Sequence, residues 1–281
     1  MCANEICSQA VGYFTFYSFV IKLARMRTKG LVLGIGILGI LAACSTAPIT
    51  GRRQLSLVSA GQETELGLTE FEKLKKDTPV SHDPSANALL QKVGKRIAAA
   101  AGNDLPNAQW EFVVFESKEA NAFCLPGGKI GVYTGILPIT RDEAGLATVL
   151  GHEVAHATAH HGAERMSQQM VVQGAGSLAG VAITDPRWSQ LFQTVYPIGA
   201  QVGVLLPFSR KDESEADRIG LHYMARAGYD PQAAVDFWER FSAAMPANST
   251  PTLLRTHPVD STRIADIKKY LFEAKQEYRP Q

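Results

Sequence analysis

With 281 residues, 46% of them hydrophobic, the chain can bury an ordinary core in one large domain or two small ones. Its 28 basic and 27 acidic side chains leave a formal charge of +1, which excludes the basic surplus that nucleic-acid binding demands. Four cysteines, two of them within the first ten residues, exclude a disulfide-stapled scaffold.

Residues 1–43 differ from the rest. Met26-Arg27-Thr28-Lys29-Gly30 is a charged segment, and Leu31 to Leu41 is an apolar run too short and glycine-rich for a membrane span. Together they have the layout of a secretory signal. Residues 1–25 precede a Met that already has a complete signal behind it, which points to Met26 as the start and to an upstream start codon chosen in error; alternatively Tyr13 to Ile21 is part of a longer anchor. Leu41-Ala42-Ala43-Cys44 resembles the lipobox of bacterial lipoproteins, which implies removal of 1–43 and acylation of Cys44. Ser45 after that cysteine resembles the sorting signal for the outer membrane. The expected division is a leader at 1–43, a tether at 44–57 rich in small, polar and basic residues, and a domain at 58–281.

Within that domain, Ser59 caps a helix to about Lys76 with Leu66, Leu68, Phe71 and Leu74 as its apolar stripe. Asp83-Pro84 opens a second helix carrying Leu89, Leu90, Val93 and Ile97 to Ala101. A loop from Gly102 to Asn107 leads to a strand at Trp110 to Phe115. Asn121 to Leu125 and Lys129 to Tyr133 form two more strands around the turn Pro126-Gly127-Gly128. Cys124, between Phe123 and Leu125, reads as a small buried hydrophobe rather than a nucleophile, because no cation nearby would lower its pKa.

Asp142-Glu143 start the next helix, which the composition carries to His161, with Gly162 as its breaker. Met170 to Ile183 and Trp188 to Phe208 are apolar but interrupted by polar residues and prolines, so they read as packed helices or a lid. A charged helix start at Ser209 to Gly220 runs on to Gly228. Asp230-Pro231 opens a helix through Phe241. A loop holding Pro246, Pro251 and Thr256-His257-Pro258 follows, then an amphipathic helix from Asp260 through Ile264, Ile267 and Leu271.

The chemistry concentrates in His152-Glu153-Val154-Ala155-His156. In a helix the two histidines lie one turn apart on one face, so both can reach one cation at about 2.0 to 2.1 Å. Glu153 falls beside them, where a carboxylate takes a proton from activated water. A catalytic zinc needs a third protein ligand and an open position. His160 and His161 follow too closely on the same helix to wrap one ion, and read as solvated or structural. Glu213 is the better candidate, with Asp217 one turn beyond it, placed to hydrogen-bond a ligand imidazole. Glu215 competes with Glu213, and only the spacing to Asp217 separates them. A surface helix carrying two histidines is the plain alternative.

Several segments coincide with one family. Asn121-Ala122-Phe123 with Pro126-Gly127-Gly128, His152 to His156, Phe208-Ser209-Arg210 with Glu213 to Asp217, and His257-Pro258 with Arg263 resemble the zinc metallopeptidases that include the CAAX prenyl proteases and HtpX, most closely their periplasmic lipoprotein branch. The resemblance spans about Gly51 to Leu271. It implies an α+β, mainly helical, zincin-like fold with a small sheet or hairpin beside the HExxH helix. It also implies one zinc ion per chain on His152, His156 and Glu213, with Glu153 as base and Asn121 and Ala122 touching substrate. His257 can then occupy the open zinc position and Arg263 lines the cleft. The chain lacks the clear spans of the membrane-embedded members, so their prenylated substrates are not carried over.

The function expected is a zinc metalloendopeptidase acting on misfolded or misassembled envelope proteins, anchored through Cys44 in the periplasm at the inner leaflet of the outer membrane. Protein substrates and an envelope-assembly partner are expected, and no nucleic acid. The alternatives are a lipoprotein chaperone or assembly factor that retains the fold, and a membrane-embedded prenyl-type protease.

Overall fold

The computed structural model describes residues 44–178, 209–243, 252–257 and 261–280. The leader, most of the two apolar stretches read as packed helices or a lid, and Pro246, Pro251 and Pro258 lie outside them. Two short strands come first, β1 (Cys44–Thr46) and β2 (Arg53–Leu55). The segment expected to be a tether is seated on the domain: Ala47 and Gln54 are buried, and the Gln54 amide donates to the Ala159 carbonyl.

Helix α1 (Ala60–Asp77) starts at a capping box, in which Gln62 N–H donates to Ser59 Oγ at 3.3 Å and Ser59 N–H to Gln62 Oε1 at 3.0 Å. Its buried face is Glu63, Gly67, Glu70, Phe71 and Leu74, which departs from the expected stripe: Leu68 is exposed. The reason is Gly67. A Cβ there would stand 2.2 Å from the Pro126 carbonyl oxygen, so the helix meets the Pro126-Gly127-Gly128 turn through bare backbone instead of leucine. Helix α2 (Pro84–Ala101) has Asp83 as N-cap, accepting from Ser85 N–H at 2.8 Å, with Pro84 in the first turn.

The sheet has order β3 (Glu111–Phe115), β5 (Lys129–Tyr133), β4 (Ala122–Leu125). β3 runs parallel to β5 with Val113 opposite Gly131, and β4 runs antiparallel with Phe123 opposite Gly131. The turn between β4 and β5 places Gly127 and Gly128 both at φ +83°, the left-handed region that side chains avoid. β4 therefore ends the sheet, and it lies against the central helix.

That central helix follows α3 (Leu137–Thr140). It is α4 (Glu143–Thr158), capped by Asp142 accepting from Gly145 N–H at 2.8 Å, and every residue from Gly145 to Thr158 is buried. A helix buried all round is the core of the fold. It ends at Thr158, three residues short of the expected end. His160 takes φ +54°, the chain reverses, and α5 (His161–Leu178) begins, so Gly162 lies inside a helix instead of breaking one.

Helix α6 (Arg210–Arg226) starts at a second capping box, Ser209 with Asp212, and crosses α4. The crossing is made by Gly151 and Gly220: a Cβ on Gly220 would lie 3.0 Å from the backbone of Gly151. Helix α7 (Gln232–Ala243), α8 (Thr252–Thr256) inside the expected loop, and α9 (Ser261–Lys275) complete the described residues. The result is the α+β, mainly helical domain the sequence predicts, with a small sheet beside the HExxH helix.

Candidate metal centre

Because α4 and α6 touch backbone to backbone at Gly151 and Gly220, side chains on their facing sides converge. On α4, His152 Nε2 and His156 Nε2 are 3.1 Å apart. From the first turn of α6, Glu213 reaches both, Oε2 to His152 Nε2 and Oε1 to His156 Nε2, each at 3.4 Å. His257, just past α8, brings Nδ1 to 3.2 Å from His152 Nε2 and 2.9 Å from Glu213 Oε1. All four side chains are buried, and their donor atoms lie within 4.8 Å of one another.

Four ligands set tetrahedrally at zinc distances stand roughly 3.3 Å from each other, and this cluster has that spacing. Its chemistry fits as well. His152 Nδ1 lies 3.0 Å from Asp217 Oδ1, so Nδ1–H donates to the carboxylate and Nε2 keeps a lone pair. Lone pairs on rings that face each other repel unless a cation stands between them. Among the described residues none donates a hydrogen bond to Glu153 Oε1, buried beside the cluster, and His257 Nε2 lies 3.6 Å from it. An oxygen stripped of water and left without a donor suits a place beside a metal and its solvent.

Arg263 on α9 braces the other side. Its Nε and Nη2 donate to Asp217 at 2.7 and 2.8 Å, and Nη1 lies 2.8 Å from Glu213 Oε2. The guanidinium stacks on Trp238 at 4.1 Å from the ring centroid, and Nη1 also donates to the His257 carbonyl at 3.2 Å.

The same contacts set the protonation equilibria. With no cation at the cluster, burial pulls the His152 imidazole down, but hydrogen bonds to Asp217 and Glu213 outweigh it and carry its pKa up to about 9, so a proton competes for the Nε2 lone pair that a metal would take. Burial dominates for His156, which falls well below its ordinary value. Glu213 is held well below the carboxylate range, because His257, His152 and His156 overcome the effect of burial. Asp217 is lowered too, by Arg263 and His152 against burial. Glu153 goes the other way: burial pushes it up. An acid that holds its proton more firmly, next to acids that do not, has the profile of a general base.

Residues 84–271 match the model of Peptidase family M48. The chain belongs to that family. M48 peptidases are zinc-dependent, and membership makes this chain a metalloendopeptidase, a hydrolase of peptide bonds. Among curated relatives, mitochondrial metalloendopeptidase OMA1 of Schizosaccharomyces pombe is 36% identical over 231 residues, covering 81% of this chain and 66% of the relative. OMA1 of Saccharomyces cerevisiae is 30% identical, covering 94% of this chain and 79% of the relative. The Beta-barrel assembly-enhancing protease of Escherichia coli is 29% identical over 80% of this chain, which spans about half of that relative, 47%.

In this M48 chain the residues singled out from sequence fall in three places. His152, His156, Glu213, Asp217, His257, Arg263 and Glu153 gather at one point. Asn121 precedes and Ala122 opens β4, the strand packed against α4, where Tyr133 N–H donates to the Asn121 carbonyl at 3.0 Å and Ala122 is buried. His160 and His161, read as solvated or structural, are both engaged in the fold. His160 is half-buried with Nδ1 2.7 Å from Glu63, and His161 is fully buried with Nδ1 2.8 Å from His156 Nδ1. Glu215 contacts none of the cluster's donor atoms; it meets His161 and Arg52. Cys124 is half-buried in β4, its thiol pKa raised by burial and then by Glu153. Arg52 and Trp238 carried no sequence signal, since both act through contacts far apart in the chain.

Proposed function

We propose that the chain is a lipid-anchored periplasmic endopeptidase of the M48 lipoprotein branch, holding one zinc ion on His152, His156 and Glu213, with Glu153 as general base. The observation that carries this reading is the convergence of three imidazoles and a carboxylate, at ligand spacing, beside a buried Glu153 oxygen to which no described residue donates a hydrogen bond. Zinc bound there supplies Lewis-acid polarisation of the scissile carbonyl and acidifies water.

The chain's own residues do the rest. Glu153 takes the proton from the attacking water and passes it to the leaving nitrogen, a task its raised pKa suits. Asp217 and Arg263 hold the His152 ring in one tautomer. The outer edge of β4, with Asn121 and Ala122 at its start, offers main-chain groups to an extended peptide by strand addition. His257 supplies the fourth donor and fills the position that solvent needs, so the arrangement is shut and activity requires α8 and its loop to leave.

Envelope proteins that have misfolded or failed to assemble are the substrates this reading favours. It is supported by the leader and lipobox, which resemble those that precede an acylated cysteine, by Ser45, which resembles the signal for the outer membrane, and by the likeness to a protease named for β-barrel assembly. Among the described residues no helix is long and apolar enough to cross a membrane. The assembly-factor alternative loses ground because the base and every donor are present together.

Purified protein should contain zinc one to one. Glu153→Gln should retain that zinc and lose casein hydrolysis by on the order of 100- to 10,000-fold. Undiminished hydrolysis would remove Glu153 from the mechanism. In cells, the wild type should incorporate labelled fatty acid and lose residues 1–43, and Cys44→Ala should do neither; a wild type that incorporates no lipid would remove the lipid anchor.

A further inference from the structure

A line of buried side chains runs away from the metal cluster behind His156. His156 Nδ1 lies 2.8 Å from His161 Nδ1, and His161 Nε2 lies 3.0 Å from Glu215 Oε2. Arg52 Nε donates to the same Glu215 oxygen at 2.5 Å, while Thr50 Oγ1 donates to the other. Arg52 also forks onto Glu164, Nη1 to Oε1 at 2.9 Å and Nη2 to Oε2 at 2.7 Å. His161 has no exposed surface, and Glu215, Glu164 and His156 are buried.

The fixed members of this line assign the protons of the others. A carboxylate paired with Arg52 can only accept, so the His161 nitrogen facing it, Nε2, carries the hydrogen. In the neutral ring Nδ1 is then a lone pair, and the group it faces must be the Nδ1–H of His156. His156 Nε2 is left unprotonated and turned toward His152 and Glu213, as a metal ligand must be. His152 reaches the same state through Asp217 directly. Thus the two α4 histidines are oriented by two acids of one α6 run, Asp217 in contact and Glu215 through an intervening imidazole.

We propose that His161 is a positioning residue for His156, locked by Glu215, and that Thr50 and Arg52 make the segment just after the lipobox cysteine part of the metal centre. The inference rests on His156 being a ligand, as read above. It adds that the strap from Ala47 to Leu55 is coupled to zinc affinity, although none of its residues reaches the ion's donors.

Zinc affinity of the full chain, read by competition with a chromophoric chelator, tests it. His161→Leu, which removes the acceptor, should bind zinc about 10- to 100-fold more weakly, and Arg52→Gln should weaken it in the same direction by a smaller factor. His161→Asn keeps an oxygen where Nδ1 stood and should stay within about threefold of wild type. Wild-type affinity in His161→Leu would overturn the proposal, and so would a loss in His161→Asn as large as in His161→Leu, since packing rather than hydrogen bonding would then explain both. Should His161→Leu not fold, imidazole nitrogen NMR of the zinc-loaded wild type decides: the proposal requires a neutral His161 protonated at Nε2 and a His156 protonated at Nδ1, and any other tautomer pair overturns it. His156→Ala separates the two levels. If it loses zinc while His161→Leu does not, only the positioning role falls; if it retains wild-type affinity, the ligand assignment falls with it.

Discussion

His257 is the residue on which the resting state turns. It contributes one of four donors, yet it comes from just past α8 rather than from the α4–α6 crossing, with its N–H donating to the Leu253 carbonyl at 2.7 Å and its carbonyl accepting from Arg263 Nη1 at 3.2 Å. Removing it leaves His152, His156 and Glu213, which suffice for a catalytic zinc, and opens the fourth position. His257→Ala is therefore expected to retain metal and to raise casein hydrolysis on the order of tenfold, equivalent to lifting a closed state favoured by about 1.4 kcal/mol. Retained zinc with unchanged or lower hydrolysis would show that His257 does not hold the enzyme shut. Arg263 makes a poorer target, because it also braces Asp217 and Glu213, and its loss would disturb the pocket it lines.

Among the elements, α4 and α6 position the site through their glycine crossing. Gly151 precedes His152, and Gly220 lies one turn beyond Asp217, so the helix separation fixes how far apart the donors stand. Gly220→Ala places a methyl 3.0 Å from backbone that cannot rotate aside, and about 1 to 3 kcal/mol of stability should be lost as the helices part. Gly162→Ala, in α5 with open space around it, should instead be neutral or stabilising by up to about 1 kcal/mol. Chelator-treated and zinc-loaded samples melted side by side measure both, and a Gly220→Ala protein as stable as wild type would mean the crossing has slack. Much of this was legible beforehand. The four-residue spacings within α4 and within α6 follow from helix geometry, as do the caps at Ser59, Asp83 and Ser209. The end of α4 was not, because the reversal depends on a non-glycine residue, His160, in the left-handed region, for which composition offers no signal. Reading the helix straight through to His161 hid the contact between His161 and His156. The face of α1 departs from the leucine stripe for a related reason: Gly67 and two glutamates are buried where leucines would be expected, and the turn opposite explains it.

Across the whole molecule, the segment from Ala47 to Asp77 clasps the peptidase core through charged pairs. Arg52 reaches Glu164 and Glu215, Lys75 reaches Glu111 on β3, and Glu63 on α1 reaches His160 at the end of α4. None of these pairs could be matched from sequence, since each joins residues tens of positions apart. The His160 pair makes the clasp pH-dependent in a direction that can be worked out. Its hydrogen bond to Glu63 raises the imidazole pKa above 6.5 in the folded chain, so the folded state binds the proton more tightly than the unfolded one. The stabilisation is then complete below pH 6.5 and fades as pH rises through the raised value. His160→Asn removes the charge while keeping a residue that tolerates positive φ, which separates the pair from the backbone strain. At pH 6 this variant should be less stable than wild type by about 0.5 to 1 kcal/mol, and at pH 9 the gap should close. Urea unfolding of both proteins at the two pH values, each stripped of metal so that zinc binding adds no pH dependence of its own, reads the difference directly. A gap of equal size at pH 6 and pH 9 would mean that the contact stabilises by packing alone and that the clasp does not sense protons through His160.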